Sequence, residues 1–216
     1  MRRLEPFERY ADEYDAWFDR CSHLFESELL AVAAVLPRGG DRVEIGVGTG
    51  RFAARLGISV GVEPARAMSV LAQSRGIEVR EGTAEALPFE DAGFDVALLV
   101  TTLCFVDDID RTFAEAYRVL RENGRVVVAF IPQDSAFGRS YAQNREEDRF
   151  FRYAQFFTVS QVEGALARAG FAVERTVQTL TLAPGSVEAV EAPSDGHGRG
   201  SFVVIRAAKT GPVARP

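Results

Sequence analysis

The sequence predicts an α/β fold: a mainly parallel seven-stranded sheet with helices on both faces and an antiparallel last strand. Three observations lead there. Short apolar runs alternate with amphipathic stretches along most of the chain, the rhythm of repeated strand–helix units. FDVALLV (94–100) and RVVVAFI (125–131) are close to continuously apolar, as strands covered on both faces are. A turn with three glycines runs directly out of the first strand, where the backbone must bend sharply. The 216 residues suffice for one sizeable domain of this kind and are too few for two ordinary ones.

In chain order, Phe7, Tyr10, Tyr14 and Trp17 at helical spacing predict an opening helix with an aromatic face. A second helix carries Phe25, Leu29, Val32, Ala33 and Leu36 on one side and ends at Pro37-Arg38-Gly39-Gly40. The first strand covers 42–46. A short helix over 51–56 stops at Gly57, and the second strand, 58–63, is followed by Pro64, well placed to open the next helix. The third strand is 77–80 and the fourth 94–100. Asp107 or Asp108 then caps a helix whose stripe is Ile109, Phe113, Ala116, Tyr117 and Leu120, closed by Asn123-Gly124. The fifth strand is 125–131. Residues 132–157 break the rhythm, polar at first and then aromatic, with Tyr141, Phe150, Phe151, Tyr153, Phe156 and Phe157. Thr158 and Gln161 make a capping-box pattern for a helix that turns Val162, Ala165, Leu166 and Ala169 inward and ends at Gly170. Two last strands, 172–182 and 202–207, flank a Pro/Gly-rich loop.

Composition narrows the function classes. Apolar residues make up 47% and charged residues 26%, the balance of a folded globular chain. No run reaches the roughly 20 apolar residues that span a bilayer. The N-terminus opens with Arg2-Arg3 and has no apolar run behind them, which argues against a secretory leader. Cys21 and Cys104 form neither a disulfide framework nor a metal knuckle, so a reducing cytoplasm and no metal are expected. The net charge is −6 and only Arg2-Arg3 are adjacent basic residues. That argues against nucleic acid as a partner, because displacing counterions from phosphates takes a basic face. It argues equally against an electrostatic membrane anchor.

Glu44-Ile45-Gly46-Val47-Gly48-Thr49-Gly50 carries the most information. Gly46, Gly48 and Gly50 let the chain turn and let a ligand approach without a Cβ in the way. The acid at Glu44 would repel a pyrophosphate but suits an amino group, reached directly or through water. Position 51 is Arg, so the third glycine comes one residue early for the dinucleotide pattern G-x-G-x-x-G. Glu63, at the end of the second strand, is placed to accept both hydroxyls of a ribose.

VEIGVGTGRF (43–52), GVEPA (61–65), GTAEALPFEDAGFDVALLVTTLCFVDD (82–108), LRENGRVVVAF (120–130) and FFTVSQVEGALARAGF (156–171) occur in that order. With them the chain resembles the class I S-adenosylmethionine-dependent methyltransferases, in particular their small ubiquinone-biosynthesis-type branch, over about 40–182. The family's closing strand resembles FVVIRAAK (202–209). The resemblance implies a Rossmann-like fold and S-adenosylmethionine as cofactor. It implies that Glu44 and the glycine turn hold the methionine portion, that Glu63 and Pro64 border the ribose, and that Thr83, Ala84 and Glu85 lie along the adenine edge with Leu87 on the ring. Thr83 stands where this family often has Asp, which removes one partner of the adenine amino group. Thr101 and Thr102 would pass close to the sulfonium end, and Tyr14 in the opening helix would close over the cofactor.

The expected reaction is in-line displacement onto a small-molecule acceptor. The chain would form one methyltransferase domain, 1–216, with a helical cap at 1–37 and acceptor-side insertions at 132–157 and 183–200. No dedicated base is evident; His197, in the second insertion, is the weak candidate. Two other readings compete: a nucleoside-binding regulatory or scaffold protein without turnover, since fold and binding do not establish a reaction, and a nicotinamide-dependent oxidoreductase.

Overall fold

A computed structural model describes residues 3–210; Arg2 of the basic pair and the domain ends 1–2 and 211–216 lie outside the described residues. The strands are β1 (Arg42–Ile45), β2 (Val60–Val62), β3 (Glu78–Arg80), β4 (Phe94–Val100), β5 (Leu120–Phe130), β6 (Phe171–Thr179), β7 (Ser194–Asp195) and β8 (Phe202–Lys209). They form one sheet in the order β3-β2-β1-β4-β5-β8-β6-β7. β1 to β5 pair in parallel, and β8 lies antiparallel between β5 and β6. The two-residue β7, antiparallel on the outer edge of β6, is the strand beyond the seven expected.

The central strands feed two cores by simple alternation. Val96, Leu98 and Val100 of β4 point to one face, with Phe25, Leu29 and Val32 of α3 (Ser22–Val35) and Phe52 of α4 (Arg51–Leu56). Ala97 and Leu99 point to the other face, with Phe113 and Ala116 of α6 (Ile109–Val119) and Val162 and Leu166 of α8 (Val159–Arg168). In α3, Ala33 is exposed rather than part of the buried stripe. Asp108 caps α6, accepting from the Arg111 N–H at 3.0 Å. Thr158 and Gln161 form both halves of the capping box on α8.

Three elements differ from the sequence expectation. The opening helix is two, α1 (Glu5–Arg9) and α2 (Ala11–Arg20), broken at Tyr10. The break lets Phe7 pack beside Ala65 and Met68 near α5 (Arg66–Ser74), while Phe18 packs on Phe25 and Phe52. One straight helix would not follow both surfaces. α6 ends at Val119, because Leu120 already pairs with Phe94 in the sheet. Asn123-Gly124 lies within β5, with Asn123 at φ +62°, beside a register shift between Phe94 and Val96. Finally, the irregular 132–157 segment contains α7 (Ala136–Gln143), capped by the Ser135 hydroxyl on the Gly138 N–H and burying Phe137.

Candidate functional site

Strand order reverses between β1 and β4, and the carboxyl ends of the strands on either side of such a switch open a crevice. The chain leaves β1 there through Gly46 (φ +71°), Gly48 (φ +54°) and Gly50 (φ +82°), left-handed conformations that favour glycine. Each lacks a Cβ for a different reason. At Gly46 it would fall 2.5 Å from the Thr102 side chain, whose hydroxyl donates to the Ile45 carbonyl at 3.0 Å. At Gly50 it would strike Ile77 and Ala72, so this glycine serves packing against α5 and β3. At Gly48 nothing lies within 4 Å. A side chain there would project into open space.

Two buried acids face that space from neighbouring strand ends. Glu63 accepts from the Gly48 N–H at 2.9 Å and the Ala65 N–H at 3.0 Å, which fixes the carboxyl against the glycine turn. Burial raises its pKa to about 7, against the pull of those two amides. Glu44 is 2% exposed and its Oε2 has no partner. Burial pushes its carboxyl well above the usual range, opposed by the Ala53 amide and reinforced by Glu63. No cation pairs with either acid among the described residues. An orphaned carboxyl oxygen beside an open cradle fits a ligand that brings a cationic or donor group.

A groove of about 840 Å³ continues the crevice past Gly46 and Pro64, along Gly82, Thr83, Ala84, Glu85 and Ala86, to Thr102, Phe105 and the start of α6. Thr83 and Ala86 close a small bridge that stiffens this edge. The Glu85 carboxylate accepts from the Asp107 N–H at 2.6 Å and ties the edge to the N-terminal end of α6. Tyr14, Gly46, Gly48, Glu63, Pro64 and Thr101 share a smaller cavity next to the groove, and Tyr14, Glu44, Gly46, Gly48 and Thr101 share a third. Thr101 holds φ +51°, an unusual backbone for a β-branched residue.

On the far side of Tyr14 and Thr101 lies an aromatic cavity of about 140 Å³. α2 supplies Tyr14, Trp17 and Phe18, α3 supplies Glu28, α7 supplies Phe137 and Tyr141, and Phe150 and Phe151 close it. Neighbouring rings meet mostly edge to face, as between Tyr14 and Phe18 and between Tyr14 and Phe150. Charge fastens α2 over the glycine turn. Asp15 receives Arg51 and Arg75, each at 2.7 Å, and Arg75 also reaches the Thr49 carbonyl at 2.8 Å. Burial raises the Asp15 carboxyl, but these arginines outweigh it and bring it down to about 2.

Of the residues singled out in the sequence, Tyr14, Glu44, Gly46, Gly48, Glu63, Pro64, Thr83, Ala84, Glu85 and Thr101 line these adjoining spaces. Gly50 and Leu87 do not. Leu87 is packed into the core beneath α6, its N–H donated to Glu115 at 2.8 Å. His197 is exposed on the turn after β7 and lines none of the cavities described. Cys104 is buried, and burial raises its thiol. The sequence reading passed over Glu28, Phe105 and Ala86. A signal for Glu28 was present: it follows Phe25 by three residues and precedes Val32 by four, on the apolar side of its helix.

Among the described residues, no helix is long and apolar enough to cross a membrane. A family model described as a methyltransferase domain matches residues 43–128. The crystal structure of an S-adenosylmethionine-dependent methyltransferase from Thermotoga maritima, named a possible histamine N-methyltransferase, is 45% identical with a TM-score of 0.90. It covers 96% of this chain, and all of that chain is matched. An uncharacterized protein of Methanocaldococcus jannaschii is 37% identical over 206 residues, 95% of this chain and 100% of its own length. The malonyl-[acyl-carrier protein] O-methyltransferase of Geobacter sulfurreducens is 32% identical over 188 residues, 76% of this chain and 68% of that protein.

Proposed function

This chain belongs to the class I S-adenosylmethionine-dependent methyltransferases, and we propose that it transfers the methyl group to a small, partly apolar acceptor held in the aromatic cavity. One observation carries the reading: the orphaned Glu44 oxygen and the anchored Glu63 carboxyl face the open cradle above Gly48, one wall away from that cavity. When bound, the cofactor supplies an electrophilic methyl group on a sulfonium. Glu44 would hold its amino group, and Glu63 would accept from the ribose hydroxyls while the Gly48 and Ala65 amides keep its carboxyl in place. Thr83, Ala84 and Glu85 line the base edge, and Pro64 the ribose side.

The rest of the work is alignment and exclusion of water. Tyr14 and Thr101 form the wall shared by the two spaces, so these two residues would border the path between cofactor and acceptor. Their position sets the line of approach for the acceptor's lone pair. The aromatic rings of α2 and 150–151 keep that path dry. In this reading 1–37 and 132–157 are the cap and acceptor-side segments of a single domain. The segment 183–200 packs on α3 through Ser27 and Glu191 instead, where the Glu191 N–H donates to the Ser27 hydroxyl at 2.9 Å. The relatives' names diverge at the acceptor, a possible histamine N-methyltransferase on one side and an O-methyltransferase of malonyl-[acyl-carrier protein] on the other.

The test is calorimetric titration with S-adenosylmethionine, S-adenosylhomocysteine and NAD in parallel. Both sulfur nucleosides should bind and NAD should not. Binding of NAD alone would replace the reading with a dehydrogenase. Nucleoside binding without methyl transfer to any acceptor in a broad metabolite screen would leave a binding protein.

A further inference from the structure

Glu28 stands on the inner side of α3, among side chains of the core. It is 7% exposed, yet makes no hydrogen bond and no ion pair among the described residues. Its carboxyl looks into the aromatic cavity instead. A buried acid without a partner is costly, and a ligand that brings a donor or a cation would give Glu28 the partner that no side chain of the cavity supplies. The walls suit a cation as well, because the π faces of Tyr14, Trp17 and Tyr141 attract positive charge. The other charged groups along the cavity are Glu13, Asp148 and Arg20, and Glu13 is already taken by Arg149. The volume is close to that of engineered cavities of ~150 Å³ that hold one benzene ring.

Resting on the methyltransferase reading above, we propose that the acceptor is a compact amine with one planar apolar body, and that Glu28 binds its nitrogen. The amine enters as an ammonium and pairs with ionised Glu28. A proton then passes from the nitrogen to a Glu28 Oε, which frees the lone pair. The nitrogen bonds to the methyl carbon as the carbon–sulfur bond breaks, and the electron pair of that bond goes to sulfur. The product leaves as the N-methylated ammonium, and Glu28 keeps the proton until the next ammonium displaces it to water. Thus one ammonium and one sulfonium become one methylated ammonium, one neutral thioether and one released proton.

Burial pushes the free Glu28 carboxyl up to about 8. At neutral pH it therefore carries a proton that an arriving ammonium displaces. The groups facing it from neighbouring elements are Tyr14 and Tyr141, both held protonated by burial, with Glu13, Arg20 and Asp148 further along the cavity.

Trp17 is the only tryptophan and lines this cavity, so intrinsic fluorescence reports on it directly. The probes are benzylamine, 2-phenylethylamine, benzyl alcohol and benzoate, titrated into the full chain with S-adenosylhomocysteine present. At least one amine should change Trp17 emission and bind 10-fold or more tighter than benzyl alcohol, with benzoate weakest. Calorimetry in two buffers of different ionisation enthalpy should show a proton released on binding. Glu28→Gln should remove the amine preference and the proton release, while S-adenosylhomocysteine still binds as in the wild type. Benzyl alcohol or benzoate matching the amines would overturn the proposal, and so would an unchanged amine affinity in Glu28→Gln. The wild-type series decides the matter even if the variant fails to fold. Glu28-dependent amine binding by a chain that binds no sulfur nucleoside would keep the amine site and sink the methyltransferase reading.

Discussion

The two spaces that meet at Tyr14 and Thr101 are built by different means. The crevice side is made of backbone: a turn with three left-handed glycines, strand ends, and the Glu63 carboxyl fixed by the Gly48 and Ala65 amides. The aromatic side is made of side chains from α2, α3, α7 and 150–151, brought together over more than 130 residues of sequence. A wall of backbone admits one shape and tolerates little change. A wall of rings can be recut by single substitutions while the fold stands. This asymmetry explains how one architecture serves many acceptors with one methyl donor.

The comparison can be broken most decisively at Gly48. Gly48→Val forces a branched residue to φ +54° and fills the cradle. Cofactor affinity should fall by about 100-fold or more, as expected when occupied volume and strain act together. A calorimetric titration on a variant with native circular dichroism checks it, and retained affinity would remove the glycine turn from the site. Glu63→Ala comes next, with about 1–3 kcal/mol lost from cofactor binding, as when charge-assisted hydrogen bonds go. Its stability should fall too, because the Gly48 and Ala65 amides lose their acceptor.

The aromatic side should answer to pH. Glu28 has a folded pKa near 8 against 4.5 for the ordinary carboxyl. Between those values the folded state holds a proton that the unfolded state has lost, so this contribution is intact below about pH 4.5 and fades as pH rises towards 8. Glu28→Gln should therefore match the wild type in urea unfolding at pH 4.5 and exceed it by about 1–3 kcal/mol at pH 9. Equal stability at both pH values would show that the carboxyl is solvated.

Two smaller effects sharpen the boundary. Asp15→Asn unfastens α2 from Arg51 and Arg75 and should cost about 1–2 kcal/mol of stability. Hydrogen exchange should quicken in α2 and stay unchanged in β4. His197→Ala should alter neither stability, by more than about 0.5 kcal/mol, nor turnover, since the side chain is exposed and away from both spaces. A loss of turnover would return it to consideration as a base.

Legibility in the sequence follows the same division. The sheet could be read because its strands announce themselves locally, and Gly46, Gly48, Glu44 and Glu63 because a tight turn beside a ligand allows few residue types. Gly50 looked like its neighbours, but its missing Cβ makes room for Ile77, a neighbour that only the folded chain supplies. Leu87 has the right position along the chain and the wrong direction, drawn into the core beneath α6. Asn123-Gly124 carried a turn signal that a helix end and an irregular strand share. Glu28 stands at helical spacing among apolar residues, but the cavity it faces exists only once α2 and α7 close over α3. His197 was favoured by its loop, yet β7 holds that loop on the outer edge of the sheet.

The slot that β8 occupies has a consequence for how the molecule comes into being. β5 and β6 do not pair; the strand between them follows both in the sequence, and it fills the gap with Phe202, Val203, Val204 and Ile205, all fully enclosed. Until β8 is seated, β5 and β6 each lack a neighbour along one edge, and an unpaired edge is a template for pairing with another chain. Once seated, β8 joins β6 and β7 to the parallel strands β1 to β5.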